Sequence, residues 1–193
     1  MKLSLILILI MLSFGSSAQD KILPMDESGK YTFLEVAELK AVTKTIMAAN
    51  VRRFFKANHK SLKLSAEEKD TVFLGKGKMI VQKGLGGIGH PSAEVNYNIS
   101  VALREGKYRL IMTDFIVTPY ERDRYGNFVP VTVSTALEKS PGKLGRAEWE
   151  ANMAFVFTES RKIADRLKVT MSNTLAEPKT EQKKPATVST TKW

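Results

Sequence analysis

The chain contains no cysteine. That excludes disulfides, thiolate catalysis, Cys zinc sites and a lipidated N-terminal Cys. A domain without such crosslinks is held by its core alone. Histidine is scarce too. His59 and His90 stand far apart in predicted loops, with no H-x-x-x-H pair, so no metal site is expected. No G-x-S-x-G elbow is present for nucleophilic catalysis. Basic residues are numerous, yet no run exceeds two, which disfavours a dedicated nucleic-acid arm. The longest apolar run, Leu3 to Phe14, has 12 residues against the ~20 needed to span a bilayer.

That run has a different use. Met1-Lys2 supplies a positive start, and Gly15-Ser16-Ser17-Ala18 supplies small residues before Gln19. Together they predict a secretory signal peptide over 1–18, cleaved after Ala18. The mature chain is then periplasmic or secreted and has no transmembrane segment. From Met171 onward Thr, Lys, Glu and Pro dominate and apolar periodicity ends, which predicts a disordered tail over 171–193, terminal Trp193 included. One domain of ordinary size is left between, at 19–170. The formal charge of the whole chain is +10, and about +7 falls within 19–170. An excess of that size suits solubility, and it also permits an anionic partner such as a glycan, a lipid headgroup or nucleic acid.

Ala93 to Val117 is the clearest stretch. Val95, Tyr97, Ile99, Val101 and Leu103 alternate with Asn96, Asn98, Ser100, Ala102 and Arg104, which predicts a strand with one buried face. Arg104-Glu105-Gly106-Lys107 reads as a turn, and Tyr108 to Thr118 as the returning strand, with Ile111, Thr113, Phe115 and Val117 on one face. Further strands are predicted at Tyr31–Val36 and at Thr71–Lys83, where Gly75 and Gly77 suggest a bulge or bend. Val129–Ser134 reads as a short edge strand, and Pro119 as a strand end. Helices are predicted over Glu38–Lys56 and Arg146–Val169, the second with a stripe of Trp149, Met153, Val156, Ser160, Ile163 and Leu167. Ser61–Asp70 and Gly84–Pro91 read as loops, and Lys139–Gly145 as a breaker segment. The resulting class is α+β: an antiparallel sheet of four to five strands with both helices on one face, in the order β-α-β-β-β-β-α.

Two motifs look like chemistry. Gly84-Leu85-Gly86-Gly87-Ile88-Gly89 matches the dinucleotide fingerprint, but Pro91 and a strand follow instead of the helix N-terminus that a pyrophosphate needs. No cofactor is expected. Asp114, Glu121 and Asp123 could form a carboxylate pair of the glycosidase type, although acidic residues beside Arg122 and Arg124 usually make surface ion pairs.

The lead-in Leu23-Pro24-Met25-Asp26-Glu27-Ser28-Gly29-Lys30, the Gly75-Lys76-Gly77 strand, the turn Arg104-Glu105-Gly106-Lys107-Tyr108-Arg109 and Thr113-Asp114-Phe115 occur in an order that resembles a family of exported bacterial proteins of unknown function with a TBP-like fold. The resemblance covers about residues 22–117. It implies a sheet packed on a helix and carries no catalytic residues. The signal peptide and the lack of a catalytic constellation in the sequence give the leading expectation: a non-enzymatic envelope domain that binds a protein, glycan or lipid, with no specific nucleic-acid target. An acidic hydrolase and a polyanion binder are the alternatives. If a ligand site exists, it should lie on the sheet face opposite the helices, where Asn96, Asn98 and Ser100 point.

Overall fold

The computed structural model describes residues 22–85, 88–139, 141–142 and 145–174. The predicted signal peptide and the tail beyond Thr174 lie outside the described residues, as does part of the breaker segment. Among the described residues the order is β1 (Phe33–Glu38), α1 (Lys44–Ala57), β2 (Leu62–Glu68), β3 (Val72–Leu85), β4 (Ile88–Arg104), β5 (Lys107–Arg122), β6 (Phe128–Pro130), β7 (Thr135–Ala136) and α2 (Arg146–Met171). The sheet is antiparallel with strand order β1-β5-β4-β3-β2, and β6 and β7 add short ladders to β5.

β4 is the central strand, and its alternation carries directly into packing. Val95, Tyr97, Ile99, Val101 and Leu103 are all buried under the helices. α1 adds Met47, Val51, Phe54 and Phe55 to the same core, and α2 adds Met153, Val156, Ile163 and Leu167. Burial pushes the Tyr97 hydroxyl up to about 12. Ser160 faces the core as the α2 stripe requires, and its hydroxyl has no hydrogen-bond partner among the described residues.

Several expectations are corrected. The predicted loop Ser61–Asp70 contains β2, an edge strand whose only buried residue is Leu62. Leu62, Leu64 and Ala66 do alternate with Lys63, Ser65 and Glu67, but the pattern is short and followed by charge, and those charged residues guard the edge. Lys69 (φ 47°) and Asp70 (φ 55°) make the turn into β3, a left-handed pair without the usual glycine. Likewise Gly84–Pro91 is mostly strand: Gly84 pairs with Gly89 and Leu85 with Ile88, so β3 and β4 form one long hairpin. α1 begins only at Lys44, because Glu38 still pairs in β1 and Thr43 caps the helix by accepting from Ile46 N at 3.4 Å. β5 runs through Pro119 to Arg122 and pairs there with β6. α2 reaches Met171, which is fully buried, so the domain extends past 170.

Gly75 borders a bulge on one side only: toward β2 it pairs with Leu64, and Ser65 is the extra residue before Ala66 meets Leu74, while Gly77 pairs regularly with Leu62. β3 pairs through both of them without a break against β4. They are small because aromatic rings lie across them: Phe55 from α1 over Gly75, and Tyr97 from β4 over Gly77. Besides the bulge between Leu64 and Ala66, register shifts fall between Val81 and Gln82 and opposite Tyr97 on β5.

Candidate functional site

The helices cover one face of the sheet and leave the other open. The bulge on β5 decides what the open face presents. Asn98 pairs with Thr113 and Asn96 with Ile116, so two β5 residues oppose Tyr97. Asp114 absorbs the extra residue in the left-handed region at φ 57°. The side-chain parity of β5 switches there. Tyr108, Leu110 and Met112 are buried before the bulge, and Phe115 is buried after it. Ile111 and Thr113 therefore belong to the open face. This overturns the predicted shared face of Ile111, Thr113, Phe115 and Val117, which strict period two required.

Asp114 is more than a hinge. Its carboxylate pairs with Lys30 of the lead-in and accepts from Asn98 Nδ2 at 2.8 Å. The Lys30 bond holds the Asp114 carboxyl below its ordinary value, and Asn98 adds to the effect. Beside it, Thr32 Oγ1 lies 3.2 Å from Thr113 Oγ1 and 3.1 Å from Asp26 Oδ2. Asn96 donates to Glu94 Oε1 at 2.9 Å, and Tyr120 OH donates to Glu94 Oε2 at 3.2 Å. Of the sequence-predicted residues, Asn96 and Asn98 are exposed on the open face and already bonded within it, while Ser100 is half-buried there.

A test of the bulge follows. Asp114→Asn keeps a side chain tolerated at positive φ, so at neutral pH it should lose only the carboxylate's interaction with Lys30 and add no backbone strain. Asp114→Val places a β-branched residue there and should cost about 1–3 kcal/mol, read by denaturant unfolding. The depressed carboxyl also sets a pH dependence. Its contribution is fully present above the ordinary value of 3.8 and fades as pH falls through the lower folded value. Asp114→Asn should flatten that acid limb, and an unchanged limb would show that Asp114 is not its source.

Apolar side chains share the open face. Leu34 and Val36 on β1 are 56% and 58% exposed. Leu34 lies opposite Ile111, Ile111 opposite Ser100, Ser100 opposite Leu74, and Leu74 opposite Ala66. Two cavities open here. One, of about 450 Å³, is lined by Val36, Val72, Ala102, Arg104, Lys107 and Arg109 among others. The other, of about 370 Å³, includes Leu74, Lys76, Asn98, Ser100, Ile111 and Thr113 in its lining. Sequence reading found the polar positions of this face but missed Leu34, Val36 and Leu74. Leu34 and Val36 sit in a predicted strand, and nothing local says which of its faces is covered.

The candidate carboxylates do not converge. Asp123 closes its own turn, with Oδ1 accepting from Tyr125 N and Asn127 N at 2.8 Å each, and those backbone bonds lower its pKa. Asp114 is held by Lys30, and Glu121 is exposed. His90 stacks on Phe128 with ring centroids 4.3 Å apart, and His59 Nδ1 lies 3.0 Å from Lys56 O. Both histidines are exposed, and His90 belongs to β4 instead of a loop. The residues after Gly89 continue β4, so no helix N-terminus follows the glycine motif. Among the described residues no helix is long and apolar enough to cross a membrane.

No family model and no curated protein matches the chain. Solved structures do. A TBP-like protein from Parabacteroides distasonis superposes with a TM-score of 0.59 at 12% identity, covering 79% of this chain and 98% of that one. The fold is TBP-like. A DUF4468 family protein from Bacteroides ovatus agrees, with a TM-score of 0.57 at 13% identity over 83% of this chain and 95% of its own. Both relatives are bacterial, as the resemblance implied, and the TBP-like architecture takes in far more than residues 22–117. At these identities the likeness concerns fold alone, and the open face of the TBP-like sheet has to be read on its own residues.

Proposed function

We propose that the chain is an exported, non-enzymatic binding domain of the bacterial cell envelope and that it meets its partner through the open face of its sheet. The observation that carries this reading is the exposure of Leu34 and Val36 on the face that neither α1 nor α2 covers among the described residues. An antiparallel sheet with one solvated face normally presents polar residues there. An aliphatic strip on such a face loses hydration cost when a partner covers it, at roughly 25 cal/mol per Å². Export rests on the signal-peptide pattern of 1–18. An acidic-residue hydrolase is the weaker reading, since two of its three carboxylates are engaged by Lys30 and by a turn backbone.

The test uses tagged mature protein and solubilised envelope fractions. Capture of a specific component is expected for the natural chain and is expected to be lost in Leu34→Asp/Val36→Asp, with thermal melting unchanged between the two. Equal capture by the variant would move the binding surface off this face. N-terminal sequencing of exported material should begin at Gln19, and a chain still starting at Met1 would end the export reading.

A further inference from the structure

The two cavities of the open face are one feature. β4 runs under both in succession, and its outward side chains there are small: Ser100 and Ala102. The neighbouring strands are bulkier at the same level. Leu74 and Val72 of β3 stand on one side, and Ile111 and Arg109 of β5 on the other. Val36 of β1 continues the second wall. The result is a trench along β4 from Asn98 to Arg104, about 20 Å long at the rise of a strand and about 10 Å between walls two strand spacings apart.

Both ends of the trench are cationic. At one end Arg104 lies directly opposite Lys107, and Arg109 follows on the same face. Glu38 is across from Lys107 and pairs with Lys40 at 3.5 Å. At the other end Lys63 lies directly opposite Lys76, with Lys78 two residues further along. None of Arg104, Lys107, Arg109, Lys63, Lys76 and Lys78 makes an ion pair among the described residues. Like charges placed directly opposite across two strands destabilise a sheet. Here that happens twice, at the two ends of one aliphatic trench. Glu68, opposite Val72 on the edge strand, and Glu105 in the turn leave the balance positive.

We infer that the occupant of this trench is an acidic amphipathic helix of a partner protein; the inference rests on the binding reading above. Charge complementarity selects the acid. Geometry selects the helix. An extended segment laid on a sheet face would leave its backbone groups unpaired against aliphatic walls, whereas a helix satisfies its own. A helix of about 13 residues spans 20 Å, and its apolar side chains at i and i+4 stand about 6 Å apart. The Ser100 and Ala102 floor positions are about 6.6 Å apart along the strand. Two aliphatic side chains of one helix stripe therefore drop over the two small floor residues, between the walls. Carboxylates flanking the stripe meet Lys63 and Lys76 at one end and Arg104 and Arg109 at the other. A second copy of this chain is a poor occupant, because its own open face carries the same cations. Single-stranded nucleic acid is disfavoured as well, since the trench offers no exposed aromatic ring for bases to stack on.

The experiment measures fluorescence anisotropy of labelled synthetic helical peptides titrated with the mature protein. One peptide carries a Leu stripe flanked by Glu, the second the same stripe flanked by Lys, and the third a scrambled Leu/Glu sequence. Vesicles of phosphatidylglycerol and phosphatidylcholine, and heparin, serve as competing anions. Saturable binding of the Glu-flanked helix, about tenfold or more tighter than either other peptide, and weakened by added salt, is the expected result. Ser100→Phe fills the floor and should weaken it about tenfold or more. Lys63→Glu/Lys76→Glu should do the same and favour the Lys-flanked peptide. Melting curves establish that each variant is folded. Equal affinity for all three peptides, indifference to Ser100→Phe, binding of vesicles or heparin alone, or no binding at all would each overturn the inference. Envelope capture that Leu34→Asp/Val36→Asp abolishes, together with no peptide binding, would leave the broader reading standing and remove this one.

Discussion

Gly75→Val is expected to lower stability by about 3 kcal/mol, a fall of roughly 6–12 °C in Tm for a domain of this size. Strand propensity alone argues the opposite, since Val is preferred over Gly in a sheet by up to about 1 kcal/mol. Sterics decides the sign. A Cβ at Gly75 would sit 2.5 Å from Phe55 Cε1 and 2.7 Å from Lys63 O. The Phe55 ring could move only by displacing core neighbours, and the Lys63 carbonyl belongs to the β2 backbone. Real Cβ atoms do not approach that closely, so either α1 lifts or the β2 ladder shifts. Differential scanning calorimetry checks the size of the loss. The pair Gly75→Val with Phe55→Ala checks its cause: the double variant should be less destabilised than the sum of the two single ones, because the ring that clashes is gone. A Gly75→Val chain melting within about 2 °C of the parent would refute the close approach.

A chain ending at Thr170 should lose about 4 kcal/mol relative to one ending at Thr174, combining a buried methionine with the hydrogen bonds of a buried amide. Met171 is fully buried as the last residue of α2. Asn50, fully buried on α1, donates Nδ2 to Met171 O at 3.3 Å and to Asn173 O at 2.7 Å, and its Oδ1 accepts from Arg53 Nη1 at 3.2 Å. These bonds fasten the end of α2 to the middle of α1. Truncation at 170 removes both carbonyls and leaves a buried amide without those acceptors. Domains of ordinary stability have about 5–15 kcal/mol in hand, so the shortened chain should unfold at visibly lower urea. Identical urea midpoints for the two chains would show that the Asn50 clasp contributes nothing.

That clasp shows how composition misleads at a boundary. Apolar periodicity fades at Met171 and polar residues take over, so the domain reads as finished at 170. Whether a methionine at the edge of a helix is core or tail depends on which neighbour stands beside it, and that neighbour is more than a hundred residues away. The same logic explains β2. Its residues LKLSAEE hold a short alternation of Leu62, Leu64 and Ala66, yet they bury one side chain, so the pattern is too weak against the surrounding charge to mark an edge strand. The α1 start was obscured because Leu39 and Val42 continue the helical spacing backwards, while Glu38 is held by the ladder to Lys107.

The open face was legible in part. Period two along β4 places Asn96, Asn98 and Ser100 on one side whatever the partners are, because successive side chains of a strand must alternate. Their bonds to Glu94 and Asp114 were not legible, since they join residues that only the ladder brings together. Nor could alternation survive on β5, where one residue at Asp114 adopts a left-handed backbone and turns the rest of the strand over. A single φ angle thus decides that Ile111 faces water and Phe115 the core.

The sequence by itself determined the α+β class, the central β4–β5 hairpin with its Gly106 turn, the α2 stripe and the absence of thiol chemistry. All of these follow from local periodicity, turn chemistry or composition, which act over a few residues. Only the tertiary structure decided which sheet face is covered, that Gly75 and Gly77 make room for Phe55 and Tyr97, and that Ser100 and Ala102 line a trench with cations at both ends. The reason is physical: burial, close approach and charge balance are properties of pairs of residues far apart in the chain, and no stretch of sequence carries its own partner.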